Sequence, residues 1–347
     1  MKISLFAHME RTDTSIPHAK LYDNFVELCQ MADRSGFCAI WVGEHHGMDF
    51  TIAPNPFAQL SDLANKTENV RLGTATVVAP FWHPIKLAGE AAMVDIITSG
   101  RLEMCLSRGA YEFEYQRLSP GEDAWSAGAK LREMVPVLQK LWKGDYTHDG
   151  EYWQFPATTS IPKPLQSPYP GMWIAARDPD THNFAITNGC NVQVTPLWQG
   201  DQEIVSLMEK FKGAVANNPD NPKPKIMVLR HLFVAKTEQE HLQAANQLSD
   251  WYNTFGAWFR NDRPVHNGNI DPVTEEEKAA IEMFSSSEMH KNHVIGTPEH
   301  AIERLKFYES LGYDEYALWL DNGMSHEKKK ANLQLFIDEV LPEFERI

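Results

Sequence analysis

The sequence predicts an α/β chain folded as a (β/α)8 TIM barrel with a long insertion before the last βα unit. Short apolar runs alternate eight times with longer segments of helical period, the pattern of a parallel sheet whose strands are joined by helices. No run is followed by a Gly-x-Gly-x-x-Gly turn, which counts against the runner-up, a doubly wound sheet. Eight such units close most simply as a barrel. The 347 residues could make two ordinary domains, yet barrels routinely pass about 250 residues as one unit, so a single domain over 1–347 is expected.

The first strand is read at 2–7 and the first helix at 17–35. Pro17 opens that helix, Leu21, Phe25, Leu28, Cys29 and Ala32 share its apolar face, and Gly36 stops it. Strand 39–43, helix 55–66, strand 70–78, helix 83–97, strand 101–107 and helix 124–141 follow. The second half continues with strand 172–176, helix 181–188, strand 192–195, helix 201–216, strand 226–235 and helix 237–255. Residues 261–292 then form a polar stretch too long for an ordinary barrel connection, with an amphipathic helix over 274–284. Helix 298–310, strand 315–320 and helix 327–344 close the chain. No internal repeat is evident.

Composition bounds the function. With 43% hydrophobic and 11% aromatic residues the chain can bury a sizeable core. A formal net charge of −15, with no basic run longer than Lys328-Lys329-Lys330, repels phosphate backbones and anionic membranes. Neither nucleic acid nor a membrane is an expected partner. Cys29, Cys38, Cys105 and Cys190 show no CxxC spacing, which suggests reduced core thiols. No signal-type h-region and no 18-residue apolar stretch is present, so a cytoplasmic location is expected.

On a barrel, chemistry sits at the carboxyl ends of the strands, and three exits stand out. The first is Glu44-His45-His46, where an apolar run ends in one carboxylate and two imidazoles that each need a partner once out of water. Strand alternation sends His45 and His46 to opposite sides, which disfavours a metal pair; two ligands from one strand would be spaced His-x-His. An imidazole titrates near about pH 6.5 and can exchange protons at neutral pH, so His45 is a catalytic candidate and Glu44 its natural orienting partner. A core imidazole bonded to Glu44 is the structural alternative.

The second exit runs from Gly73 to Val78 and on through Phe81-Trp82-His83-Pro84, where small residues let a flat ring approach the backbone and aromatics can wall a pocket. Helix entry is the plain reading of His83-Pro84. The third is Ser107-Arg108-Gly109, an arginine able to fork onto phosphate. A buried ion pair with Glu112 or Glu114 is its alternative.

In this order the three exits resemble the bacterial luciferase family of flavin-dependent monooxygenases, over nearly the whole chain. The strongest block reads Gly73-Thr74-Ala75, Pro80, His83-Pro84, Asp95, Ser99-Gly100-Arg101-Leu102 and Arg108-Gly109. The tail adds Ile295-Gly296-Thr297-Pro298-Glu299, Leu311-Gly312-Tyr313-Asp314-Glu315 and Glu339-Val340-Leu341-Pro342. The resemblance implies an enzyme that binds reduced FMN (FMNH2), reacts it with O2 to a C4a-hydroperoxide and inserts one oxygen atom into an organic substrate. It implies a separate NAD(P)H:flavin reductase as electron source, and a homodimer formed by helices near the second and third strands.

Residue by residue, the resemblance makes His45 the catalytic histidine and Glu44 its positioner. It places an unusual cis peptide at Ala75-Thr76 under the flavin ring and a phosphate contact at Arg108. Ala176, Arg177 and Thr181 fall in a phosphate-cradling loop and helix start, although Arg177 and Asp178 stand where luciferase has a glutamate and a serine. Lys130 is the candidate for a second luciferase arginine, and Ser107 replaces a reactive cysteine, which argues against light emission as the role. The stretch 261–292 matches a lid, with a plain surface excursion as its alternative. Phe6, His8, Trp82, Trp198, Trp258 and Phe259 are candidate pocket walls, favouring a small apolar ketone, aldehyde or terpenoid. Two other classes stay open, a deazaflavin-dependent oxidoreductase on the same barrel and a non-catalytic flavin-binding protein.

Overall fold

Eight parallel strands close the barrel in the computed structural model, which describes residues 1–344; the last three positions of the expected domain lie outside them. The strands are β1 Lys2–Phe6, β2 Ala39–Val42, β3 Arg71–Val78, β4 Leu102–Ser107, β5 Gly171–Ala175, β6 Asn191–Val194, β7 Ile226–Val234 and β8 Glu315–Trp319. Each pairs with the next in sequence, and β8 returns to β1 in the register Lys2↔Glu315 through Phe6↔Trp319. A short strand, Val294–Gly296, pairs with the outer end of β7. Among the described residues no helix is long and apolar enough to cross a membrane.

Two apolar layers follow from strand alternation. Along β7, Ile226, Val228, Leu232 and Val234 pack outward with the helices, while Met227 and Leu229 point into the barrel. The interior is filled by large rings: Trp41 and Trp173 meet edge to face at 5.5 Å. Gly73 makes that possible, because a Cβ there would lie 2.2 Å from the Trp41 ring. The glycine of the Gly-Thr-Ala block is therefore a packing requirement of β2 and β3. Trp41 Nε1 donates to Glu315 Oε1 at 2.8 Å and Trp173 Nε1 to Glu103 Oε2 at 2.8 Å, so both buried indoles are satisfied.

The helices are α1 His18–Ser35, α2 Pro56–Ala64, α3 Pro84–Ile97, α4 Glu112–Leu118, α5 Ala124–Lys143, α6 Pro179–Thr187, α7 Asp201–Asn217, α8 Glu238–Arg260, α9 Glu275–Ala280, α10 Ser286–Asn292, α11 Pro298–Leu311 and α12 His326–Leu335. Several elements were not anticipated, among them α10 and the short strand Val294–Gly296. α4 lies in the β4 exit loop, and two small hairpins form at Tyr146–Asp149 with Gln154–Thr158 and at Val265–His266 with Asn269–Ile270. The second hairpin turns on Asn267-Gly268, both with positive φ, the pairing such tight turns demand. The expected helix at 274–284 is split into α9 and a 3-10 turn at Glu282–Phe284, and the last helix passes into a π turn at Phe336–Val340.

Burial of imidazoles gives stability a pH dependence. Desolvation, reinforced by neighbouring basic groups, holds His8, His231 and His293 well below the usual histidine range, and burial pushes His182 down to about 4. Folded, these four bind fewer protons than unfolded, so their stabilisation is full above about pH 6.5 and is lost as pH falls below it. Glu10 and Glu315, raised by burial, and His46, raised by its hydrogen bond to Glu44, act with the opposite sign. The unfolding free energy from chemical denaturation is expected to fall steadily from pH 6.5 to 5, by up to about 1.4 kcal/mol per pH unit for each buried imidazole before that offset. A flat profile over that range would contradict the assignment.

Candidate active site

The carboxyl ends of all eight strands open onto one cavity of about 850 Å³. Phe6 enters from β1, Glu44 and His45 from the exit of β2, Ala75 and Thr76 from β3, Ser107 from β4, Ala175 from β5, Gln193 from β6, Leu229 from β7 and Trp319 from β8. A volume of this size suits a cofactor together with a small substrate.

The Glu44-His45-His46 exit is organised differently from the expectation. Glu44 is 2% exposed; its Oε1 meets His46 Nε2 at 2.9 Å, its Oε2 accepts from Val78 N at 2.6 Å, and the Trp82 indole donates to both oxygens. His45 takes another carboxylate: its Nδ1 lies 3.4 Å from Glu114 Oε2, while Glu114 Oε1 accepts from His46 N at 2.6 Å. Glu114, and not the expected Glu44, is thus the carboxylate that faces His45. Alternation turns the two imidazoles apart, and Glu44, committed to the backbone and indole beyond β3, reaches only His46.

Glu114 comes from the unanticipated α4, and is 1% exposed. His45 is further fixed by its backbone N–H, which donates to Ala53 O at 2.8 Å. Its ring stands edge to face with Tyr111 at 5.2 Å and His8 at 5.4 Å. The hydrogen bond to Glu44 holds His46 above its usual pKa against the effect of burial, which makes His46 a structural member of the loop.

On the neighbouring strand β3 the peptide Ala75-Thr76 is cis, and Thr76 Oγ1 and Ser107 Oγ share a hydrogen bond of 2.5 Å. Arg108 donates Nη1 to Ala124 O at 3.0 Å, not to Glu112 or Glu114. Arg132, on α5, also lines the cavity. Gly128 lies between the two: a Cβ there would come within 3.4 Å of Arg132 Nη1 and 3.9 Å of Arg108 Cδ. Two guanidinium groups flanking a missing side chain, beside the small residues Ala75, Ala175 and Ala176, fit a phosphate carried on a flat ring.

Lys130 does not take the cofactor-binding place expected of it. It pairs with Glu122, lies over the Tyr152 ring at 5.8 Å and is not among the cavity residues. Helical phase explains this: Ala124, Gly128, Leu131 and Arg132 share the cavity face of α5, and a residue two positions before Arg132 points away. Arg177 and Thr181 do line the cavity but are already engaged. Arg177 Nε reaches Glu203 Oε1 at 3.3 Å, and Asp178 caps α6 by accepting from Thr181 N at 2.9 Å and Thr181 Oγ1 at 2.7 Å. The Thr181 hydroxyl is thereby used within the cap, and Asp178 is paired with it, not with Arg177.

Of the expected walls, Phe6, His8 and Phe259 line the cavity. Trp82 does not, being the anchor of Glu44. Trp198 packs instead against Tyr252 and Phe284, and Trp258 is buried against Phe113 at 5.0 Å. Aromatic walls missed by the sequence are Tyr111, Trp125, Phe184, Trp251, Phe255 and Trp319. Among the described residues no group of three or more His, Cys, Asp or Glu is placed to hold a metal ion.

Comparison with known proteins agrees with this geometry. The chain is 58% identical over 344 residues to the oxygenase component of the flavin-dependent trigonelline monooxygenase of Acinetobacter baylyi, covering 99% of this chain and 96% of that protein. Among solved structures, monooxygenase RslO1 from Streptomyces bottropensis superposes with a TM-score of 0.83 at 22% identity, covering 99% of this chain and 100% of that one. The oxygenating constituent of the 3,6-diketocamphane monooxygenase from Pseudomonas putida, a type II Baeyer-Villiger enzyme in complex with FMN, does so with a TM-score of 0.77 at 17% identity, covering 100% and 99%. The luciferase-like monooxygenase model matches residues 1–315, and the chain belongs to that family.

Proposed function

We propose that this protein is the oxygenase component of a two-component system that uses reduced FMN and O2 to oxygenate trigonelline or a close pyridine relative. The observation that carries this reading is the 58% identity, over 99% of the chain, to an oxygenase component acting on trigonelline. It narrows the small organic substrate to a flat heteroaromatic ring. A separate NAD(P)H:flavin reductase supplies the reduced flavin.

Arg108 and Arg132 hold the phosphate, and Ala75, Thr76 and Ala175 leave space for the ring. When bound, the reduced flavin activates dioxygen for insertion of one oxygen atom into the substrate. Glu114 at Nδ1 fixes the His45 tautomer, which directs Nε2 to handle a proton in the cavity. Glu44 and His46 keep the loop in place. An exposed apolar strip on α3, Met93, Ile96 and Ile97, supports a homodimer through the helix after β3, and the enzyme works in the cytoplasm.

The test is turnover with a flavin reductase, NADH, FMN and labelled O2. One labelled oxygen atom in the trigonelline product is expected, and labelled hydrogen peroxide alone would overturn the reading.

The insertion 261–292 contributes no residue to the cavity lining. It clamps the loop after His45 instead: Asp49 N donates to Gly268 O at 2.7 Å. We therefore read it as a lid that acts through this loop, keeping water from the activated oxygen. Replacing 264–271 by a short Gly-Ser link is expected to raise hydrogen peroxide released per NADH at least about two-fold. Unchanged coupling would leave the segment a surface excursion.

A further inference from the structure

Seven rings form an unbroken circuit around one end of the cavity, and each of them lines it. Phe6 meets Trp319 at 5.1 Å, Trp319 meets Trp251 at 5.2 Å, and Trp251 meets Phe255 at 5.3 Å. Phe255 then meets Tyr111 at 6.0 Å, Tyr111 meets His45 at 5.2 Å, His45 meets His8 at 5.4 Å, and His8 returns to Phe6 at 4.6 Å. Five of the seven contacts cross at between 70° and 82°, so the belt is a box of near-perpendicular walls.

Charge is divided across the cavity. Its three arginines, Arg108, Arg132 and Arg177, come from the β4 exit, α5 and the β5 exit. Six rings of the belt come from β1, β2, β8 and α8, which bring no lysine or arginine to the lining, and the seventh, Tyr111, follows Arg108 by three residues in the β4 exit. Trp319 is locked by donating Nε1 to Glu10 Oε1 at 3.1 Å, and burial keeps His8 neutral. Nothing in the box repels a cation, while aromatic faces attract one.

Resting on the reading of a pyridine-type substrate, we propose that this belt selects the quaternary nitrogen of an N-alkylated pyridinium ring by cation–π attraction. Trp319 and Trp251 are its principal specificity determinants. A neutral ring of the same shape is excluded only by the loss of that attraction, which sets the discrimination at roughly ten-fold. The arginine end, taken up by the cofactor phosphate, plays no part in the choice.

Calorimetric titration of the FMN-loaded protein with trigonelline and with 3-methylbenzoate, which carries carbon in place of the charged nitrogen, tests this directly. Trigonelline is expected to bind about ten-fold more tightly. Trp319→Leu should bring the ratio to within two-fold of unity and Trp319→Phe should keep most of it; Phe255→Leu, on the rim helix, should lower the ratio where Trp319→Leu does not fold. A wild-type ratio near one, or a ratio unmoved in the folded variants, overturns the proposal. Turnover is scored apart from binding. Protein that keeps the ratio but does not oxygenate trigonelline retains the belt and loses the proposed reaction; protein that oxygenates it with a ratio near one does the reverse.

Discussion

Replacing His45 by alanine is expected to lower coupled oxygenation by about 100- to 10,000-fold, the range of a positioned acid–base group, with FMN binding within about two-fold of wild type. The separation follows from the contacts each side chain makes: His45 meets Tyr111, His8 and Glu114, whereas Arg108 and Arg132 flank Gly128. Hydrogen peroxide per NADH should rise as product falls, because reduced flavin still reacts with oxygen. Full product yield in His45→Ala, measured against peroxide in the same reaction, would remove His45 from the mechanism.

Glu114→Gln sharpens that result. The amide can still accept from His46 N, which Glu114 Oε1 does at 2.6 Å, but no longer presents a carboxylate to His45 Nδ1. A fall in kcat with KM nearly constant, together with a displaced acid limb of the pH profile, is the signature of a positioning role. Glu44→Gln is expected to act through stability instead, because Glu44 receives Val78 N and the Trp82 indole and does not touch His45.

The exits of β2 and β4 were legible because each apolar run ends at ionisable residues that a buried strand does not absorb, whereas the β3 exit, made of residues ordinary in a strand, was legible only through the family block. Which carboxylate serves which imidazole was not. That depends on α4, a seven-residue helix whose sequence, Glu112-Phe-Glu-Tyr-Gln-Arg-Leu118, is too short to declare its period, and on a contact that spans 69 positions. Other signals were present but unread. Val265-His266-Asn267-Gly268-Asn269-Ile270 carries the Asn-Gly pair of a tight hairpin. Trp251 and Phe255, four apart on α8, stack at 5.3 Å and 15°, an i, i+4 pair visible in any helical reading. Their role as cavity walls was beyond sequence, since the same stripe fits a helix packed wholly into a core.

Arg132→Ala is expected to weaken FMN binding by about 10- to 100-fold, as the loss of charge-assisted hydrogen bonds worth roughly 1.5–3 kcal/mol requires, and Arg108→Ala by a similar factor. The two effects should not add, because both side chains address one phosphate across Gly128. Riboflavin, which lacks the phosphate, should bind all three proteins alike, which separates a lost anion contact from a collapsed pocket. Lys130→Gln supplies the discriminating comparison: Lys130 is bound to Glu122 on the far side of α5, so its loss should change FMN affinity by less than about two-fold. Equal losses from Lys130→Gln and Arg132→Ala, read by equilibrium titration at fixed ionic strength, would mean that screening of a general positive field, not a fork built on the phase of one helix, holds the cofactor. That phase is what makes the expectation strict. With about 100° per residue, Gly128 and Arg132 lie one turn apart on the same face while Lys130 is turned well away, and a helix cannot bring both cations to one phosphate without unwinding.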